Sequence, residues 1–184
     1  MDYLASTGQL RASLLRWSLF TVPLVLALGF LAGQIAGSGP GNPWFDGLAK
    51  PSIYPPPAAF GIVWTVLYVA MGLAFAMILS ARGARGRGTA AAAFVVQLIL
   101  NLAWSPVFFA LHQITGALWI AVAMAVAVLV TLVLFWKVRP IAGMLLVPYL
   151  AWVCFASVLT YEFLRLNPEA DGAFGASRTV RVEI

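Results

Sequence analysis

Residues 50–68 read KPSIYPPPAAFGIVWTVLY, a stretch that opens as a chain unable to fold regularly and closes as one able to cross a bilayer. Pro51, Pro55, Pro56 and Pro57 each lack a backbone N–H and fix their own φ. The residue before each proline is also steered away from the helical region. Directly after them comes an apolar run carrying Trp64 and Tyr68. The stretch is therefore a stiffened loop at the mouth of a membrane-spanning helix.

The rest of the chain supports that reading. Of its 184 residues, 62% are hydrophobic and 9% charged, with mean hydropathy +0.96. A soluble domain carries roughly a quarter charged residues, so water is not the solvent for most of this surface. Crossing a hydrocarbon core takes roughly 20 helical residues, and five apolar runs are of that order: 17–36, 58–81, 90–111, 114–138 and 141–166. The sequence predicts an all-α integral membrane protein, a five-helix bundle with a long lid loop between the first two spans. Residues 1–16 form an N-terminal extension, 17–167 the membrane domain, and 168–184 a polar tail expected to be flexible.

Strong punctuation divides the runs. GSGPGNP (37–43) opens the first loop, RGARGRG (82–88) separates runs two and three, and Lys137, Arg139 and Pro140 separate runs four and five. Runs three and four meet at LHQITG (111–116), a connection so short that the two must be antiparallel neighbours. The first run is too long for a signal-peptide core. It also places Gly29, Gly33 and Gly37 on one helical stripe, as close packing within the monomer or, alternatively, a homodimer would use.

The net charge of +5 does not indicate nucleic acid, because the basic residues flank apolar runs. Arg11, Arg16, Arg82, Arg85, Arg87, Lys137 and Arg139 fall on one side, and Lys50, Arg165, Arg178 and Arg181 on the other. In an inner membrane this bias places the N-terminus in the cytoplasm and the lid outside. The expected location is an integral, multi-pass one in an inner, outer or organellar membrane.

The inventory for chemistry is sparse. The first four runs hold no Asp, Glu, Lys or Arg in their interiors, and Glu162 lies near the end of the fifth, which argues against a proton-coupled pump. His112, in a turn, reads as a structural histidine, and Cys154, between Val153 and Phe155, as an inert buried thiol. No nucleophile–base pair, carboxylate pair or metal-ligand cluster can be assembled, so no metal and no required cofactor is expected. The aromatic residues stand out, with seven tryptophans and five tyrosines. Trp64 and Tyr68 share a helical face. Gln97, Asn101 and Trp104 form a polar–polar–aromatic stripe, and Trp152, Ala156 and Leu159 a third with space beside the large ring. Pro106 and Pro148 should kink their runs and free carbonyls for other donors. Trp17, Trp119 and Trp136 suit an interfacial belt. The three mixed stripes together describe an apolar, aromatic-walled cavity for a flat hydrophobic ligand.

WFDGLAKP (44–51), PPPAAFGIVWTVLY (55–68), NLAWSPVFF (101–109) and VPYLAWVCFASVLTYEFLRLN (147–167) resemble the TspO/MBR family, the tryptophan-rich sensory proteins and translocator proteins. The resemblance covers residues 17–167 and implies a five-helix bundle whose first loop caps a pocket. It implies binding of porphyrins such as protoporphyrin IX, and in some relatives of sterol and synthetic ligands. Motif matching puts Trp64, Tyr68, Asn101, Trp104, Trp152 and Ala156 in the pocket and Trp44, Asp46 and Pro51 in the lid; Gln97 joins them from the stripe above. Lys50 and Arg165 are candidate partners for tetrapyrrole carboxylates. Leu159, Tyr161 and Arg165 fit a cholesterol-recognition pattern, although a snorkelling arginine and an interfacial tyrosine explain the last two. The chain departs from the family after its KP, where Ser52 and Ile53 leave Tyr54 as the lid aromatic, and at Thr160, where relatives often have Asn. The stiffened loop then has a reason: prolines limit its conformations, so closing over a ligand costs less entropy.

The implied function is a tetrapyrrole-binding membrane sensor or regulator. The enzymatic alternative is light-dependent porphyrin degradation using Trp64 and Trp152. Lipid or tetrapyrrole transport ranks third, since no inverted repeat relates the two halves.

Overall fold

The computed structural model describes residues 7–172. Its elements are α1 (Thr7–Ile35), α2 (Pro43–Asp46), α3 (Pro57–Ser80), α4 (Arg87–Ser105), a π-helical turn (Pro106–Ala110), α5 (Ile114–Val138), α6 (Pro140–Met144), α7 (Val147–Leu166) and a 3-10 turn (Pro168–Ala170). Among the described residues five segments are long and apolar enough to cross a membrane, the last of them formed by α6 and α7 together. The fourth span has the bounds read from the sequence. The first begins ten residues earlier, at Thr7 rather than 17. Its 29 residues reach about 43 Å at 1.5 Å each, more than a hydrocarbon core of about 30 Å. The surplus turns carry Arg11 and Arg16, both exposed.

Proline shapes two of the spans. At Pro106 the α-helix gives way to the π turn, closed by Leu111 N–H donating to the Pro106 carbonyl at 2.9 Å. Pro148 produces a break rather than a kink. The fifth span pauses at Leu145–Leu146, and Pro148 then sits in the first turn of α7, where no N–H is needed.

Around the bundle the order is α1, α3, α6 with α7, α5, α4, and α4 then returns to α1. The α1–α3 seam is tight. Thr21 Oγ1 donates to the Gly72 carbonyl at 2.7 Å, and a Cβ on Gly72 would stand 2.6 Å from Val22 Cα. One buried cluster fills the half away from the lid, with Phe94 stacked on Phe75 at 4.2 Å and on Phe135 at 5.9 Å. A second cluster, built on Phe45, Phe108, Phe109, Ile114 and Phe163, lies under the lid. Cys154 is exposed on the outer face of α7, not buried as expected; Val153 beside it takes the inward direction, and a helix turns about 100° per residue. Trp119 and Trp136 also face outward, near opposite ends of α5. Arg178 and Arg181 of the charge comparison, and the tail from 173 onward, lie outside the described residues. The tail's first residues are docked: Gly172 N–H donates to the His112 carbonyl at 2.8 Å, and Asp171 accepts from Thr115 N–H at 3.1 Å.

Candidate functional site

A cavity of about 310 Å3 lies where the two clusters meet, within the ring of helices and beneath the lid. That volume is at the small end of ligand pockets, which run roughly 300–1,000 Å3.

Each wall follows from helical spacing. From α3 come Phe60, Trp64 and Tyr68, one turn apart, with Trp64 stacked on Tyr68 at 5.1 Å. From α4 and the π turn come Asn101, Trp104, Ser105, Phe108 and Phe109, with Trp104 stacked on Phe108 at 5.0 Å. From α7 come Trp152, Ala156, Leu159, Thr160 and Phe163, and the Trp152 ring meets Phe60 edge-on at 5.9 Å. α1 contributes Gly29, Phe30, Gly33 and Gln34, and α5 contributes Met124. Gly29 is needed here, because a Cβ at that position would fall 2.2 Å from the Tyr68 ring.

The buried amides and phenols beside the cavity form one chain. Tyr68 OH donates to Asn101 Oδ1 at 3.1 Å, Asn101 Nδ2 to Tyr149 OH at 3.0 Å, and Tyr149 OH to Gln97 Oε1 at 2.8 Å. Asn101 and Tyr68 present this chain to the cavity, while Gln97 and Tyr149 lie behind it. Every member is neutral, so the floor offers hydrogen bonds without a buried charge.

The loop of residues 36–56 covers the cavity and is fastened at several points. Gly37, at φ 62, ends α1 with the paired bonds Ser38 N–H to Gly33 O and Gly37 N–H to Gln34 O, both 3.0 Å. Asn42 caps α2 through Phe45 N–H at 3.1 Å, with Pro43 in the first turn. The Asn42 amide also donates across to the Phe109 carbonyl at 3.2 Å, a carbonyl left over at the end of the π turn. It is one of the terminal carbonyls that a helix end leaves without an intrahelical donor. Phe45 is 3% exposed and contacts Tyr54, Phe108, Phe109 and Phe163. Burying such a ring is worth about 1.5–3 kcal/mol. Ala49 and Asn167 exchange two bonds, at 2.7 and 3.0 Å, which fasten the lid to the end of α7.

Of the ten residues expected at the ligand, Trp64, Tyr68, Asn101, Trp104, Trp152 and Ala156 line the cavity and the other four do not. Trp44 lies behind the wall, stacked on His112 at 4.5 Å and edge-on to Phe108. Asp46 holds the lid turn by accepting from Gly41 N–H at 3.0 Å. Pro51 is buried, and its carbonyl accepts from Tyr54 N–H at 2.9 Å in the turn that aims Tyr54 at the cavity. Gln97 acts through Tyr149. The candidate cations are engaged elsewhere. Lys50 Nζ donates to the Phe45 and Leu48 carbonyls, and Arg165 pairs with Glu162 at 2.7 Å. Partial burial draws the Lys50 amine below its ordinary range, against the opposing pull of Asp46; burial and then Asp46 push the Tyr54 phenol up. The three residues of the cholesterol pattern divide between two faces: Leu159 turns into the cavity, while Tyr161 and Arg165, one turn apart, lie on the outer face, with Arg165 on Glu162.

Sequence reasoning missed Phe60, Phe108, Phe109 and Phe163 as wall residues. Phe60, Phe108 and Phe163 continue the stripes of Trp64, Trp104 and Leu159 by one turn, so extending the period by four residues would have found them. Phe45 was not legible, because its inward direction depends on where α2 docks.

These features define a multi-span membrane protein with a lidded, ligand-sized internal cavity. The model of the TspO/MBR family matches residues 21–166, and the chain belongs to that family. It is 38% identical over 148 residues to the tryptophan-rich protein TspO of Chlorobaculum tepidum, covering 80% of this chain and 93% of the relative. Protein CrtK of Rhodobacter capsulatus is 35% identical over 150 residues (78% and 93%), and the human translocator protein 36% over 146 (78% and 86%). The protein is accordingly a TspO-type membrane sensor or binding protein, integral and multi-pass.

Proposed function

We infer that the cavity binds a flat, hydrophobic ring ligand of the tetrapyrrole class, protoporphyrin IX being the representative, and that occupancy is what the protein senses. The observation that carries this is the wall itself: Trp64, Trp104, Trp152, Phe60 and Phe108 surround a neutral Asn101–Tyr68 floor. Such a wall offers stacking surfaces to a planar π system and a few hydrogen bonds to its polar edge. Among the described residues no Lys or Arg lines the cavity. A dicarboxylate ring therefore enters with its apolar edge first and leaves its carboxylates outside. Sterol-like ligands satisfy the apolar wall but not the stacking geometry, and rank below.

The test is tryptophan-fluorescence titration of the purified protein with protoporphyrin IX, in the dark and then in light, beside Trp152→Phe and Asn101→Ala. Saturable quenching that weakens in both variants is the expected result. Quenching that is non-saturating and identical in all three proteins means partition into the micelle, and removes the proposal. Light-dependent appearance of a new absorbing product, lost in Trp64→Phe and Trp152→Phe, would favour the enzymatic alternative; both side chains line the cavity.

A further inference from the structure

Toward its own end of the bundle the cavity is closed by the lid, and between α1 and α3 its wall thins. These antiparallel helices touch backbone to backbone at Val22 and Gly72. Counting eleven residues on from Val22 and eleven back from Gly72 brings Gly33 level with Gly61. There the space beside both glycines is open, and both line the cavity. A Cβ on Gly61 would meet nothing within 4 Å, and one on Gly33 only Ser38 Oγ at 3.8 Å. Glycine inside a helix is unfavourable relative to alanine, and no neighbour needs the space at either position.

Phe30, Gln34, Pro57 and Gly61, with Ser38 and Pro40 where the lid leaves α1, line the cavity and are also exposed. A residue with both properties stands at an opening. The outward neighbours are apolar, with Ile35 79% and Ile62 67% exposed, so acyl chains rather than water face this gap. Phe30 stands in it, edge-on to Tyr68 at 6.0 Å.

We propose that the gap between α1 and α3 is a lateral port, through which a membrane-dissolved ligand passes from the bilayer into the cavity while the lid stays shut. This rests on the reading that the cavity takes a membrane-soluble ligand. Phe30 is the side chain that swings as the ligand passes.

The test reads access to the cavity, not affinity for any ligand. Ala156→Cys, in a Cys154→Ser background reconstituted into vesicles, places a thiol on the cavity wall. A lipid-soluble maleimide should label it, and a membrane-impermeant charged methanethiosulfonate should not. Adding Gly61→Phe should slow the maleimide roughly tenfold, the rate effect of displacing one aromatic side chain from its rotamer. Gly61→Leu should slow it less, and Phe30→Ala should speed it. Asn167→Ala, which frees the lid, should leave the rate unchanged. Labelling by the charged reagent at a comparable rate overturns the port. So does a rate indifferent to Gly61→Phe and Gly61→Leu but raised by Asn167→Ala. A porphyrin that fails to bind would not alter either result.

Discussion

The hydrogen-bond chain under the cavity allows a prediction whose size follows from counting bonds. Asn101 makes two of its links, one to Tyr68 and one to Tyr149; Tyr149 also makes two, one to Asn101 and one to Gln97. Interhelical hydrogen bonds within membranes average about 0.6 kcal/mol, with a maximum near 1.7. Asn101→Ala and Tyr149→Phe should therefore each cost about 1.2 kcal/mol from lost bonds, plus a truncation cost at Asn101. The double variant loses three bonds rather than four, because one link is shared. Its cost should fall short of the sum of the single costs by about 0.6 kcal/mol, or more if the chain is cooperative. Tyr149→Phe keeps the ring that meets Trp64 edge-on at 6.3 Å, so packing changes little in that arm. Reversible unfolding in mixed detergent micelles, followed by far-ultraviolet circular dichroism, gives all three values. Additivity to within about 0.3 kcal/mol would refute the reasoning. The chain would then be four independent groups rather than one linked floor.

Three further outcomes follow from individual contacts. Gly72→Ala should destabilise by about 1–3 kcal/mol, the cost of overpacking, because its Cβ meets Val22 backbone that cannot rotate away; Gly61→Ala, facing open space, should be neutral or stabilising in the same unfolding assay. Gly29→Ala should push the Tyr68 ring off Asn101 and disturb its stack with Trp64, seen as a shift in tryptophan emission without loss of helix. Asn167→Ala removes both bonds to Ala49, at about 0.5–1.5 kcal/mol each. Hydrogen exchange at the Ala49 amide should rise about tenfold or more, and unchanged exchange would mean that Phe45 and the Asn42–Phe109 bond hold the lid without Asn167.

The bundle was legible in the sequence because each span carries its own evidence. Runs such as 114–138 are apolar along their whole length, and in lipid an isolated backbone must become helix to satisfy its own hydrogen bonds. The stripes of Trp64 with Tyr68, Asn101 with Trp104, and Trp152 with Ala156 were legible for a related reason: helical period fixes which residues share a face. What period cannot give is which faces meet. Phe45 and Trp44 are neighbours in a single-turn helix, yet one plugs the cavity and the other lies behind its wall. Only the docking of α2 on the π turn, through Asn42 and the Phe109 carbonyl, decides between them. The same holds for Lys50 and Arg165, whose charge was plain but whose partners depend on how the lid and α7 end. Gly33, Gly61 and Gly72 look alike in a sequence. Helices that touch at Val22 and leave the space beside Gly33 and Gly61 open make one glycine a packing requirement and the other two a gap, because separation between helices is a property of the pair and of neither sequence alone.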